Sequence, residues 1–186
     1  SARFKARHGV AADSPVLLLL PGSRRSEVSR LLPVFGEALR RLSELHPNLV
    51  PVVPVASAVA DFVLDGTSAW PVRPIIVTDI DDKHDAYAAA SAALCKSGTS
   101  TLELALAGIP MVAAYKMSLL EEMVGHLMLK IKNVILANIV LGENAVPQFS
   151  HREATSQGLA AALLPRLAPT PDRNRRHGAV TESGRA

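Results

Sequence analysis

The chain has 186 residues, of which 48% are hydrophobic and 20% are charged, a balance typical of a folded globular protein. Only 4% of the residues are aromatic and the formal net charge is +3. We therefore expect neither a base-stacking platform nor a nucleic-acid partner. The single cysteine, Cys95, excludes an intramolecular disulfide and favours a reducing compartment. Because Cys95 lies in an apolar run, we expect a buried structural thiol.

The N-terminal sequence begins Ser-Ala-Arg, with no initiator Met and no apolar signal segment. The longest apolar run, Leu159–Leu164, is too short to span a bilayer. We expect a cytoplasmic protein and an excised part of a longer chain.

Hydrophobic periodicity alternates between strand-like and helix-like segments along the chain. Ser26 is the expected N-cap of the first long helix, which Pro33 would kink. Such alternation predicts an α/β fold, a parallel sheet with helices on both faces. We expect one domain over residues 1–167 and a flexible basic tail over residues 168–186. The predicted strands are Val16–Leu20, Leu49–Val55, Pro74–Thr78, Ala92–Lys96 and Pro110–Tyr115, and the predicted helices are Val28–Leu42, Val59–Leu64, Ala86–Ser91, Thr99–Ala107, Leu119–Ile131 and Glu153–Leu167.

The first turn that could bind a ligand follows strand Val16–Leu20. Gly22 lets the backbone approach a ligand, Ser23 can donate a hydrogen bond, and Arg24 can direct two N–H groups at a phosphate. Parallel sheets bind ligands at the carboxyl ends of their strands. A turn glycine followed by a solvated arginine is the alternative.

The second such turn follows strand Ala92–Lys96. Ser97, Gly98 and Thr99 come just before a predicted helix, where unsatisfied N–H groups favour an anion such as a diphosphate. Glu103, about one turn into the helix, can accept both hydroxyls of a ribose. Ordinary capping, with Glu103 completing a capping box from Ser100, is the alternative. The two turns together indicate a nucleotide-diphosphate site.

A third polar segment, from Asn138 to Phe149, reads as a loop that leads through Pro147 into the final helix. Its side-chain amides could contact a uracil or a sugar hydroxyl, or it could be a plain surface loop. Acidic residues at Asp79, Asp81, Asp82 and Asp85 read as a solvated turn. The six histidines show no metal-ligand spacing, so we expect no metal.

At these motifs the sequence resembles the lipid-A-disaccharide synthase family of type-B glycosyltransferases. The similar segments are 17–28, 97–105, 108–116 and the Asn138-to-Pro147 stretch. They are collinear and resemble that family's C-terminal half. The resemblance implies a Rossmann-like domain that holds a UDP-sugar donor, and transfer of a diacylated glucosamine from UDP to diacylated glucosamine 1-phosphate. It implies no cofactor.

The resemblance also assigns roles to residues. Arg24 would contact the diphosphate or uridine, Ser97, Gly98 and Thr99 would cradle the diphosphate, and Asn138 would contact nucleotide or sugar. Glu103 would take the ribose. Gln148 and His151 stand where the family usually has a carboxylate and an amide, which puts the detailed donor contacts in doubt.

The resemblance places the acceptor site and the general base in the missing N-terminal half, so we expect no catalytic residue in this fragment, and no activity from it alone. The apolar stripe of the Leu119–Ile131 helix either faces the core or makes peripheral contact with the inner membrane. Two other functions stay open: an enzyme like UDP-N-acetylglucosamine 2-epimerase, and a non-catalytic nucleotide-binding module.

Overall fold

A computed structural model describes residues 1–116, 146–150 and 153–167 of the chain. Its strands are β1 (Val16–Leu20), β2 (Val50–Pro54), β3 (Ile75–Val77), β4 (Ala92–Lys96), β5 (Met111–Tyr115) and β6 (Gln148–Ser150). Its helices are α1 (Ala2–Arg7), α2 (Arg25–Leu45), α3 (Ala60–Thr67), α4 (Ile80–Ala89), α5 (Ser100–Leu106) and α6 (Ser156–Leu167), with a 3₁₀ turn at Ser57–Val59.

The six strands form one sheet in the order β3-β2-β1-β4-β5-β6, and every pairing is parallel. This is the Rossmann strand order, which confirms the predicted fold class. The order reverses direction between β1 and β4. In open α/β sheets the crevice at that reversal, beyond the carboxyl ends of the strands, is where ligands bind.

Helices cover both faces of the sheet, and the central strand β1 shows why its sequence is a continuous apolar run. Leu17 and Leu19 pack into the core beneath α2, α3 and α6, whereas Leu18 packs into the core beneath α1, α4 and α5. Side chains alternate between the two faces of a strand. A strand covered on both faces therefore has no polar position, and all five residues of β1 are buried.

Three local predictions were wrong, and one helix was missed. Helix α2 begins at Arg25 with Arg24 as its N-cap residue, so Ser26 lies inside the helix, as does Pro33. The final helix begins at Ser156 rather than Glu153. The loop leading to it contains strand β6, which pairs with β5. Helix α1 was not predicted, because Phe4 is the one buried apolar side chain in that basic segment.

The acidic segment is not a solvated turn but the first turn of α4. The Asp79 carboxylate accepts a hydrogen bond from the Asp82 N–H at 2.9 Å, as an N-cap does. Asp82 itself is paired with Arg7 at 2.6 Å and with His8 at 2.8 Å, which ties α1 to α4. The carboxylates therefore hold two helices together and start one of them.

Candidate functional site

The turn after β1 folds around the carboxylate of Glu27. Gly22 has φ +117°, and a Cβ at this position would lie 2.6 Å from Glu27 Oε2. Only glycine fits, because a side chain would be strained by the backbone and would collide with the carboxylate. The Ser23 N–H donates to the same oxygen at 3.3 Å. The carboxylate therefore stabilises the turn from inside.

Two cations share the other oxygen of Glu27. Lys96 Nζ, at the end of β4, lies 3.0 Å from Glu27 Oε1, and Arg24 donates to it at 3.1 Å. Burial by itself would raise the pKa of Glu27, but the Lys96 and Arg24 cations and the Ser23 N–H outweigh it and hold the pKa below its ordinary value. An ionised carboxylate thus links the β1 turn to the end of the neighbouring strand.

The turn after β4 begins with an N–H already used in the sheet, since Ser97 donates to Ala114 O at 2.9 Å. For the N–H groups of Gly98 and Thr99, no backbone acceptor is found among the described residues. A Cβ at Gly98 would lie 3.7 Å from Lys96 Nζ, so the ammonium sits directly over this turn. Backbone donors with no described backbone acceptor therefore lie next to a cation, an arrangement that suits an anion.

Both turns line one cavity of about 340 Å³ at the strand-order reversal. Gly22 and Ser23 contribute from one side, and Gly98 and Thr99 from the other. The rest of the wall comes from the ends of β2 and β3 and the start of α4, where apolar and cationic groups lie side by side. These residues include Val55, Val77, Ile80 and Lys83. An apolar wall next to cations and free N–H groups can hold a flat ring joined to phosphates.

Glu103 does not complete a capping box. Thr99 is the N-cap residue of α5 and makes no side-chain cap bond. Instead, Glu103 Oε2 lies 2.7 Å from Lys83 Nζ and accepts a hydrogen bond from the Tyr87 hydroxyl at 3.3 Å. Burial first, and the neighbouring Glu103 charge second, raise the pKa of Tyr87, so the phenol stays a neutral donor. Glu103 is half exposed and does not line the cavity itself, but its ion-pair partner Lys83 does.

Arg24 does not line this cavity. Its side chain is 77% exposed and borders an adjacent hollow of about 220 Å³. Gln148 lies on β6, two strands beyond β4, and its Nε2 is buried with no hydrogen-bond partner in the described part of the chain. Asn138 and His151 lie outside the described residues, as do the helix predicted over Leu119–Ile131 and the tail predicted over 168–186.

Four charged residues that line the cavity were not predicted as site residues: Glu27, Asp79, Lys83 and Lys96. Lys96 was recognisable in principle, because a lysine that ends a buried strand beside a small-residue turn must lie at the ligand edge. Glu27 and Lys83 depend on tertiary contacts across the cavity. In the described residues no cluster of His, Cys, Asp or Glu could hold a metal ion. None of the helices described there is long and apolar enough to cross a membrane.

The strand order and the cleft at its reversal define a Rossmann-like domain, a fold that solved glycosyltransferases share. Solved structures with this fold include ADP-heptose lipopolysaccharide heptosyltransferase II of E. coli, with a TM-score of 0.60 and 11% identity over 89% of this chain and 50% of that one. UDP-GlcNAc 2-epimerase from Neisseria meningitidis, bound to UDP-GlcNAc, gives a TM-score of 0.59 and 12% identity over 98% and 48% of the two chains.

The chain belongs to the lipid-A-disaccharide synthase family, because the family model described as lipid-A-disaccharide synthetase matches residues 1–183. The synthase of Granulibacter bethesdensis is 45% identical over 174 residues, which cover 94% of this chain and 44% of that protein. The synthase of Rhodospirillum centenum is 42% identical over 183 residues, covering 98% and 46%. The chain thus spans about half the length of these curated relatives. Because the family match is to lipid-A-disaccharide synthases, we set aside the alternative of an enzyme like UDP-N-acetylglucosamine 2-epimerase.

Proposed function

We propose that this chain is the donor-binding part of a lipid-A-disaccharide synthase and holds a UDP-sugar in the 340 Å³ cavity. The observation that carries the proposal is the convergence of two small-residue turns and Lys96 on one cavity at the strand-order reversal. The reaction would transfer a diacylated glucosamine from UDP to diacylated glucosamine 1-phosphate, in the cytoplasm.

In this proposal the diphosphate lies between the two turns. The N–H groups of Gly98 and Thr99 donate to its oxygens, and Lys96 supplies a fixed positive charge. When the glycosidic bond to the sugar breaks, the departing diphosphate gains negative charge. Donors already oriented toward that charge lower the barrier, since they need not reorganise. Ser97 does not line the cavity, and its N–H group is bonded to Ala114 within the sheet, so its expected contact with the diphosphate stays a prediction.

The uridine would lie toward β2 and β3, where Val55, Val77 and Ile80 form the apolar part of the wall. Glu103 would accept from the ribose hydroxyls, since its Oε2 is held by Lys83 and Tyr87 while Oε1 has no described partner. Arg24, at the edge of the neighbouring hollow, would reach the phosphates from outside the cavity. Asn138, Gln148 and His151 stay predictions for the sugar end of the donor.

The general base and the acceptor site would lie in the part of the relatives that this chain does not cover. The described residues support this. The two carboxylates that line the cavity, Glu27 and Asp79, are both engaged, one in ion pairs and the other in capping α4. A carboxylate held ionised by two cations is a weak base for a sugar hydroxyl. Acceptor binding, and contact with the inner membrane, would therefore need the rest of the synthase.

Isothermal titration of the chain with UDP tests the proposal. We expect saturable binding that Lys96→Gln weakens by about tenfold, the size expected for losing one charge-assisted contact. Arg73→Gln is the control, because Arg73 lies at the opposite, amino-terminal edge of the sheet beside Pro51 and Ile75. If a folded chain binds no UDP, the donor-site proposal fails, although the family assignment stands.

A further inference from the structure

Helix α4 connects two parts of the molecule, because its first turns meet the cavity on one side and α1 on the other. Asp79, Ile80 and Lys83 line the cavity of about 340 Å³. Asp82 and Asp85 instead pair with basic side chains of α1 and its C-cap residue. At about 3.6 residues per turn, the two sets fall on different sides of the helix. A change on the α1 side therefore reaches the cavity through the position of the helix itself.

Apolar packing does not fix the turn of α4 that meets the cavity. The buried residues of α4 are Ala86, Tyr87 and Ala89, which all lie in its second half. Within the first turn, from Ile80 to Lys83, every side chain is exposed or half-buried. Because a surface helix is usually held by its buried apolar face, polar contacts must set the position of this turn.

Asp82 makes such polar contacts with both oxygens of its carboxylate. Oδ1 accepts a hydrogen bond from Arg7 at 2.6 Å, and Oδ2 lies 2.8 Å from Nε2 of His8. The Asp82 side chain is only 13% exposed. Burial by itself would raise the pKa of this carboxyl, but the contacts with His8 and Arg7 outweigh it and hold the pKa below its ordinary value. Asp82 is therefore an ionised carboxylate whose two oxygens are both held from α1.

Helix α1 is itself anchored to the rest of the domain, so it can act as a fixed support. Phe4 is fully buried in the core beneath α1, α4 and α5, and its ring centroid lies 4.5 Å from that of His8. Lys5 Nζ donates to the carbonyl oxygens of Ala12 and Ser14 at 2.7 Å and 2.8 Å, just before β1 begins. The core and the segment that leads into the sheet therefore hold α1, and α1 holds Asp82.

We propose that Asp82 is a positioning residue for the donor: through its contacts with α1 it fixes the first turn of α4, and with it Lys83. The connection within the helix is direct. The N–H of Asp82 donates to the Asp79 carboxylate at 2.9 Å, and the N–H of Lys83 donates to Asp79 O at 3.0 Å. Lys83 Nζ in turn lies 2.7 Å from Glu103 Oε2. Asp82 thus acts on the ribose end of a bound nucleotide without touching it. The nature of that ligand rests on the proposed function.

The ratio of the affinities for UDP and 2′-deoxy-UDP measures this effect, because the deoxy nucleotide lacks one of the hydroxyls assigned to Glu103. In titration calorimetry we expect Asp82→Asn to lower the ratio by about threefold, since the amide keeps the shape of the side chain and loses its charge. Asp81→Asn is the matched control. It removes the same charge from the same turn, but in the described part of the chain Asp81 is exposed and has no ion pair, so the ratio should not change.

Variants of Arg7 test the same role from the α1 side and cover the case in which Asp82→Asn does not fold. Arg7 is 43% exposed, so its replacement leaves the core intact. We expect Arg7→Met to lower the ratio and Arg7→Lys to keep it near the unaltered value. In a Lys83→Met background, Asp82→Asn should lower the ratio no further, because both changes act through one contact. A merely structural role of Asp82 would lower stability and leave the ratio unmoved.

An unchanged ratio in Asp82→Asn and Arg7→Met, or an equal fall in Asp81→Asn, would overturn the proposal. If the unaltered chain binds no UDP, the donor-site proposal fails instead, and hydrogen exchange of the ligand-free chain decides the role of Asp82. The amide of Lys83, which bonds to Asp79 O, should then exchange faster in Asp82→Asn than in Asp81→Asn. Equal exchange rates in these two variants would show that Asp82 does not fix this turn.

Discussion

Replacing Lys83 by methionine tests whether Glu103 is held in place for a ribose. In the structure the Lys83 ammonium lies 2.7 Å from Glu103 Oε2, and the Tyr87 hydroxyl lies 3.3 Å from the same oxygen. Methionine keeps the length of the side chain and removes its charge. The carboxylate then keeps one long hydrogen bond, and its side chain, already half exposed, can turn into solvent.

The expected loss of stability is small. Lys83 and Glu103 are 28% and 50% exposed, so their ion pair is screened by water and contributes up to about 1 kcal/mol. The expected effect on the discrimination between UDP and 2′-deoxy-UDP is larger. A hydrogen bond from a ribose hydroxyl to a carboxylate contributes about 1.5–3 kcal/mol. UDP should therefore bind at least about tenfold more tightly than 2′-deoxy-UDP in the unaltered chain.

Titration calorimetry with UDP and 2′-deoxy-UDP separates two roles of Lys83. Lys83 lines the cavity, so its charge also attracts the diphosphate, and losing it weakens both nucleotides equally. Only loss of orientation at Glu103 reduces the ratio between the two affinities. We expect Lys83→Met to bring this ratio down to about threefold or less, and Lys83→Arg to preserve it.

An unchanged ratio in Lys83→Met would refute the idea that Lys83 positions Glu103, whatever happens to the absolute affinities. Glu103→Ala completes the experiment, because it should abolish the discrimination altogether. If Glu103→Ala still prefers UDP by the same factor, Glu103 does not accept from the ribose at all.

Three further predictions concern stability and reactivity. Gly22→Ala should lower the free energy of unfolding in urea by about 2–3 kcal/mol, because φ is +117° and the new Cβ would collide with Glu27. Gly9→Ala is the control: φ is +65° there and the new Cβ meets no atom, so the loss should be only about 1 kcal/mol. Equal losses in the two variants would contradict the collision. Since the pKa of Glu27 is lowered from 4.5, its stabilising effect is complete above that pH and disappears as pH falls through the lower folded value. The stability gap to Glu27→Gln should therefore narrow as the pH falls below 4.5, and a gap that is unchanged at low pH would refute this. Cys95 is fully buried, and burial raises its pKa to about 12. A thiol reagent at pH 8 should therefore label it only after the chain unfolds. Rapid labelling of the native chain would contradict its burial.

The fold was largely predictable because its strongest signals are local. The run Val16–Leu20 has no polar residue, as a central strand requires, and the apolar spacing of α2 matches its buried face. Gly108, which follows α5 closely, has φ +65°, the left-handed conformation in which many helices end. The short elements were harder. In β6 three half-buried residues form the edge of the sheet, and its pairing with β5 decides its conformation.

The two turns of the site were also predictable, since a strand that ends in small residues before a helix is a local pattern. The ion pairs were not. Lys96 and Glu27 are separated by 69 positions in the sequence, and Lys83 and Glu103 by 20. The sheet brings the first pair together because β1 and β4 are neighbours despite the elements between them. A pattern search that reads one segment at a time cannot find such pairs.

The contact with Glu27 explains why the turn after β1 has glycine at position 22. Glu27 lies in the first turn of α2, and its carboxylate folds back under Gly22, where a Cβ would collide with it. The same carboxylate binds Lys96, and so fixes the β1 turn against the β4 turn that shares the cavity. If Glu27 were replaced, Gly22 would lose its contact, and Lys96 and Arg24 would lose their shared acceptor. The glycine and the glutamate five residues later therefore act as one unit, which fixes the two turns of the cavity against each other.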